Sequence, residues 1–186
     1  GPTAPDPTTF ADDLQVLEKF KIVAHVPKTV IDLLRKGARG EIAETPKPAA
    51  RLFENVYNIV AGSNALALAA AARQARALGY RPRILSNTVS GEAREVARRH
   101  VEMLRKVVKR PACLLAGGET TVTVKGKGKG GRNQELALAA AIALDGLPGV
   151  LALCAGTDGT DGPTNAAGAI ATGTTIARAR KLGLDP

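Results

Sequence analysis

Aromatic residues are scarce in this chain of 186 residues, which has three Phe, two Tyr, no Trp, and only two His and two Cys. So few rings offer little for bases to stack on, which argues against nucleic acid as the main partner. His25 and His100 lie far apart in helical surroundings, so neither a histidine metal cluster nor a Ser-His-Asp arrangement can be built from them. Cys113 and Cys154 sit in separate apolar runs that read as buried strands. Free thiols in a cytoplasmic protein are expected there, not a disulfide. No apolar run of about 20 residues and no charged-then-apolar leader occurs, so neither a membrane span nor export is indicated.

What is present is small and basic. The apolar share is 45%, carried mainly by Ala, Leu and Val, a composition that lets helices lie close to sheets and favours layered α/β packing. The length allows one large domain or two small ones. A net charge of +9 calls for an anionic partner. Because the basic residues are spread over several helices, a phosphate-bearing small molecule fits better than a polynucleotide.

The stretch Lys125-Gly-Lys-Gly-Lys-Gly-Gly-Arg-Asn-Gln-Glu135 concentrates that charge, with four cations (Lys125, Lys127, Lys129, Arg132) and four glycines in eight residues. It follows a β-type run, Thr120–Val124, and opens into Leu136–Leu144, which reads as a buried helix. Glycines let the backbone approach a ligand, and the unpaired amides of the following helix would face whatever sits in the loop. Three readings compete. Gly126, Gly128 and Gly131 satisfy the dinucleotide G-x-G-x-x-G, but the acidic residue expected about 20 positions on to hold a ribose has no clean candidate, Asp158 lying too far along. The loop also suits a polyphosphate. The bland alternative is a solvated basic tip. The four polar residues Arg132–Glu135 weigh against that last reading, being more than a helix start requires.

Along the chain, Phe10, Leu14 and Leu17 mark a helical face, with Thr9 and Asp12 spaced as a cap pair. A second helix runs from Pro27 to about Lys36, with Gly37 as its terminator, followed by a loop over Ala38–Pro48. Alternation follows: strand Val56–Ala61, helix Asn64–Leu78 closed by Gly79, strand Arg83–Ser86, a helix capped by Ser90 and reaching about Lys109, and strand Cys113–Ala116. That order predicts a parallel sheet with ligands at the carboxyl ends of its strands. Polar turns stand at those ends: Gly62-Ser-Asn64, Ser86-Asn-Thr88 and Gly117-Gly-Glu-Thr-Thr121. Each alone reads as ordinary capping, and their recurrence favours a site.

A last buried strand, Val150–Ala155, leads into Gly156-Thr-Asp-Gly-Thr-Asp-Gly-Pro-Thr164. Asp158 and Asp161 in a glycine-rich turn suit a magnesium ion that completes its shell with water and phosphate oxygens. They equally suit a pair of Asx turns. Cations at one loop and carboxylates at the other describe phosphoryl transfer better than redox chemistry.

Gly1-Pro-Thr3 with Asp6-Pro-Thr8, Gly62-Ser-Asn64, Gly117-Gly-Glu-Thr-Thr121, Gly130-Gly-Arg-Asn-Gln-Glu135 and Gly156–Thr164 together resemble the glycerate 2-kinases of the MOFRL type, in order and spacing along essentially the whole chain. Members are often labelled hydroxypyruvate reductases. The resemblance implies instead phosphorylation of D-glycerate to 2-phosphoglycerate, dependent on ATP and magnesium, in a cleft between two domains. It implies that residues 1–110 are the latter part of a Rossmann-like domain and residues 111–186 most of a smaller α/β MOFRL domain, both incomplete.

Further expectations come from the same resemblance. Arg132, with Lys129 and Lys127, would meet charge on the transferred group, and Asn133 and Glu135 would position ligand or metal. Asp158 and Asp161 would be metal ligands. Ser63, Asn64, Gly117, Gly118, Glu119, Thr120, Gly130, Gly131 and Thr157 would line the substrate and nucleotide site. The family usually has Asp where this chain has Asn165, and an acidic residue near Thr172–Thr174 where it has none. A homodimer is among the expectations. Two rivals remain: an NAD(P)H-dependent hydroxypyruvate reductase using Gly126, Gly128 and Gly131, and a polyanion-binding module using charge alone.

Overall fold

The computed structural model describes residues 3–185. Gly1 and Pro2, which open the Gly1-Pro-Thr3 motif, and Pro186 lie outside the described residues. The chain divides into two compact units, one through Ala61 and one from Gly62 onward.

In the first unit, helix α1 spans Phe10–Lys19 and α2 spans Lys28–Ala38. The Thr9 hydroxyl accepts from the Asp12 amide while the Asp12 carboxylate accepts from the Thr9 amide, so the expected capping box forms. Gly37 does not end α2. A Cβ there would fall inside the Phe10 ring, so this glycine is the flat spot on which Phe10 packs. The stop comes at Arg39, with Gly40 at φ +77° in the left-handed region a helix end favours. The expected strand Val56–Ala61 is absent. Tyr57 and Ile59 are 84% and 88% exposed, and no neighbouring strand among the described residues supplies the ladder that a strand needs.

In the second unit, helix α3 covers Asn64–Ala77, strand β1 Arg81–Val89, helix α4 Ala93–Arg105 and strand β2 Ala112–Gly118. The order is the predicted α/β alternation. β1 and β2 pair in parallel, with Ile84 beside Leu115, and α3 packs on both. Leu68, Ala72 and Ala75 are the buried face of α3, at helical spacing. Ser90 is not the cap of α4; the helix starts after Glu92, whose carboxylate turns instead to the Thr123 hydroxyl at 2.6 Å. The expected strand Thr120–Val124 is reduced to a single bridge between Glu92 and Thr121. Its partner segment turns into α4 at Ala93, so the ladder has nowhere to continue.

Helix α5 spans Arg132–Leu144, strand β3 Leu151–Ala155, strand β4 Gly168–Thr172 and helix α6 Thr175–Lys181. β3 and β4 form a separate antiparallel pair, with Cys154 opposite Ala169. The expected three-stranded parallel sheet is the pair β1–β2, because Val56–Ala61 forms no strand, and β3–β4 lies in the separate smaller α/β part expected to follow. Ala97 and Val101 of α4 meet Ala140 and Leu144 of α5 in one core cluster, and Ala141, Ala171 and Ile176 form another. Small side chains at these contacts let α5 lie close to both α4 and the hairpin. Among the described residues no helix is long and apolar enough to cross a membrane.

Candidate functional site

The segment between β3 and β4 carries Asp158 and Asp161, and it folds back onto the first turn of α5. Asp161 is 3% exposed and is the buried charged residue of the described chain. Its Oδ1 accepts from the Asn133 amide at 2.9 Å and from Asn133 Nδ2 at 3.0 Å. Its Oδ2 accepts from the Gln134 amide at 2.8 Å and from Gln134 Nε2 at 3.1 Å. Burial alone would raise this carboxyl's pKa; the four donated hydrogen bonds outweigh it and hold the pKa below the usual carboxylate range. Gln134 Nε2 also reaches the Thr164 hydroxyl at 2.9 Å, and that hydroxyl donates to the Asp161 carbonyl at 2.8 Å.

This arrangement changes two expectations. Two first-turn amides of helix α5, those of Asn133 and Gln134, are not open to the glycine-lysine loop, because they already serve Asp161. A phosphate at this loop is left to side chains, the Arg132 amide and the loop backbone. Asp161, expected as a metal ligand, stands here as a helix cap supplied from another loop, with two N–H donors on each carboxylate oxygen.

The glycines explain how the two loops meet. A Cβ on Gly131 would strike the Asp161 carboxylate and backbone, and one on Gly162, at φ +60°, would strike the Gly130 carbonyl. The loops pack backbone to backbone at these points, which only glycine permits. Above Gly156, Asp158 Oδ1 and Asn133 Nδ2 converge, lying 2.7 and 3.4 Å from where a Cβ would stand. Asp158 itself forms an Asx turn, accepting from the Thr160 amide at 3.3 Å with Gly159 at φ +85°. It is exposed, and among the described residues its Oδ2 has no protein partner.

Arg132, the first residue of α5, donates from Nη1 to the Glu119 carboxylate. That hydrogen bond and charge raise the Arg132 pKa, with smaller contributions from Asp161 and Asp158. Glu119 follows directly on β2, so the pair joins the Arg132 turn to the carboxyl ends of the parallel strands. There Asn64 donates to the Asn87 carbonyl at 3.3 Å and lies 3.3 Å from where a Cβ on Gly117 would stand. Gly118, at φ +150°, lets β2 run against the Val89 backbone. Ser63 caps α3 by accepting from the Leu66 amide at 3.3 Å, which is the ordinary role for its turn. Thr120 is half-buried beside Glu119.

Other expected residues stand apart from Arg132. Lys125, Lys127 and Lys129 are exposed and unpaired among the described residues, as are the flanking Gly126, Gly128 and Gly130, and Thr157 is exposed after β3. Glu135 pairs with Arg94 of α4 at 2.8 Å, which ties α5 to α4. Among the described residues no three carboxylate, imidazole or thiol groups converge. The donor set does not make a cage for a metal. It does fit a magnesium ion carried on phosphate oxygens, which needs only one or two carboxylates, and Asp158 is the free one.

Gln134 and Thr164 complete the junction although their positions alone did not single them out. The signal of Gln134 was a polar residue where helix α5 needs none, and Thr164 stood only as the last residue of the Gly156–Thr164 motif. Where the resemblance leads one to expect an acid near Thr172–Thr174, threonines close the turn into α6: Thr175 Oγ1 accepts from the Thr172 amide at 2.9 Å, and the Thr172 and Thr174 hydroxyls lie 3.0 Å apart. Asn165 is exposed.

Residues 112–186 match the MOFRL family. Along its whole length the chain is 41% identical to a glycerate 2-kinase of Pyrococcus horikoshii, of which it covers 43%. It is likewise 41% identical to a D-glycerate 2-kinase of Thermotoga maritima, again covering 43%. A crystal structure of glycerate kinase from Thermotoga maritima superposes with a TM-score of 0.76 at 41% identity, over 98% of this chain and 42% of that one. The chain thus corresponds to a segment of these relatives, spanning less than half of their length.

Proposed function

We propose that this chain supplies part of the active site of a glycerate 2-kinase, which transfers the γ-phosphoryl group of ATP to the 2-hydroxyl of D-glycerate with magnesium. The observation that carries this reading is the docking of the Arg132 turn onto the Asp158 loop, in a chain that is 41% identical throughout to enzymes of that name. The site lies at the seam between the segment ending near residue 110 and the MOFRL segment that follows.

Arg132 stands where a cation can meet the equatorial oxygens of a transferring phosphoryl group, and moves onto them by leaving Glu119. The exposed Lys127 and Lys129 extend that positive field over the rest of the polyphosphate. Asn133 Nδ2 and Asp158 converge above Gly156, so the one can donate to a phosphate oxygen while the other holds the ion. Magnesium would neutralise phosphate charge there. Ser63, Asn64, Gly117, Gly118 and Thr120 line the strand ends from which nucleotide or glycerate is contacted. Glu135 holds α5 against α4. The free thiols Cys113 and Cys154 suit the cytoplasm.

A dinucleotide reading fares worse, because the fingerprint requires helix amides free for the pyrophosphate, and Asp161 occupies those of Asn133 and Gln134. The test is ADP release by the full-length protein. Release should require D-glycerate, ATP and magnesium together. Consumption of NADH with hydroxypyruvate, and no ADP release, would replace the kinase by the reductase.

A further inference from the structure

We propose that Asp161 and Gln134 are positioning residues that set the place of Arg132, and that neither binds metal or substrate. The proposal rests on the kinase reading for its catalytic consequence, but its structural content stands on the hydrogen bonds alone. A metal ligand needs a lone pair directed at the ion. Both oxygens of Asp161 are filled, Oδ1 by the amide and side chain of Asn133 and Oδ2 by those of Gln134. The side chain is buried, away from the exposed face where Asp158 and Arg132 stand.

The donors are the two residues that follow Arg132, so the backbone from which Arg132 projects is held by this one carboxylate. Gln134 locks the other side: its Nε2 spans Asp161 Oδ2 and the Thr164 hydroxyl, tying the helix turn to the loop at two points. Gly131 and Gly162 allow the approach, since a side chain on either would push the loops apart. The outcome is a rigid seat for Arg132 and Asn133 beside Asp158. A site assembled from two loops gains rate chiefly by holding its groups in place before the reaction, and displacements of about 1 Å cost about 100-fold. Asp161 also offsets the positive end of α5, which leaves more of the phosphate's charge to Arg132 and the lysines.

The experiment compares Asp161→Asn and Gln134→Met in the full-length protein. Asp161→Asn places an N–H against an N–H at one of the two carboxylate positions, and Gln134→Met keeps length and removes the side chain's contacts with the Asp161 carboxylate, the Asp161 carbonyl and the Thr164 hydroxyl. Positioning predicts a kcat lower by about 10- to 100-fold in Asp161→Asn, and by about 3- to 10-fold in Gln134→Met, with the magnesium activation constant within about threefold of the parent. In an Arg132→Ala background, Asp161→Asn should lower kcat by a clearly smaller factor than in the parent, because Arg132 is gone and only Asn133 is left to be displaced. A magnesium constant raised about tenfold or more in Asp161→Asn without faster amide exchange at Asn133 and Gln134 would make Asp161 a ligand and overturn the proposal.

Amide hydrogen exchange separates this proposal from the kinase reading. Asp161→Asn should speed exchange at Asn133 and Gln134 by about tenfold or more while the later turns of α5 stay protected. Unchanged exchange at those two amides would sink the positioning role even if the protein is a kinase. If the parent releases no ADP, the kinase reading falls and the exchange result still decides the positioning. Should Asp161→Asn fail to fold, Gln134→Met carries the same kcat, magnesium and exchange readouts.

Discussion

Glu119 and Arg132, thirteen residues apart in the chain, face each other as an ion pair between the end of β2 and the start of α5. Both side chains are largely exposed, at 77% and 49%, so the pair adds little to stability. Its interest lies in occupancy, because the carboxylate stands where an anionic ligand of Arg132 would.

Replacing Arg132 by Ala should therefore leave the fold intact and damage turnover. Loss of one preorganised electrostatic donor lowers kcat by about 10²–10³-fold in other enzymes, and a similar loss is expected in the full-length protein. The melting temperature should move little. A variant that keeps the parent's kcat would remove Arg132 from the reaction.

Glu119→Gln should act in the opposite sense on binding. With the competing carboxylate gone, Arg132 is free for phosphate, and affinity for ATP at low salt should tighten by about 3- to 10-fold, an advantage that fades as salt screens the site. Isothermal titration at two ionic strengths reads both effects. Weaker binding would mean that Glu119 itself contacts the nucleotide.

The glycine-rich loop offers a comparison within one motif. A Cβ on Gly131 meets the Asp161 carboxylate and backbone, whereas one on Gly128 meets nothing within 4 Å. Gly131→Ala should cost about 1–3 kcal/mol of stability by overpacking, and Gly128→Ala close to none. Chemical denaturation measures both. Equal stabilities for the two variants would mean that the loops do not dock as described.

These residues also show how far the sequence could be read. The Thr9–Asp12 box, the helix α3 and the strand-helix order through β2 are local patterns, and they were legible. Strand β4, Gly168–Thr172, was not, since five residues with one large apolar side chain carry no strand signal until β3 lies beside them. Val56–Ala61 is the converse, a β-type composition with no partner strand. Gly37 looked like a terminator because its role depends on Phe10, 27 positions away, whose ring rests on it. For the site, the loops that meet were visible as motifs, but the division of labour within them was not. Asp158 and Asp161 occupy equivalent places in a repeated Gly-Thr-Asp-Gly pattern, and only the return of the loop onto α5 makes one exposed and the other a buried cap.

Cys154 tests the packing of β3 without reference to activity. Burial pushes its thiol from an ordinary 9.0 up to about 11. The sign of the linkage follows from which state holds the proton. Below about pH 9 the thiol is protonated in both the folded and unfolded chain, and its contribution to stability is fully present. Between about pH 9 and 11 the unfolded chain gives up the proton while the native one keeps it, so stability falls as pH rises through that window. The gap corresponds to roughly 2–3 kcal/mol when complete. Cys154→Ala removes the titrating group, so its melting temperature should drop less between pH 8.5 and 11 than the parent's. All other groups are common to both proteins and cancel in the difference. An identical drop would show that the Cys154 thiol is reached by water, and that this face of β3 is not covered by α5 as the structure has it.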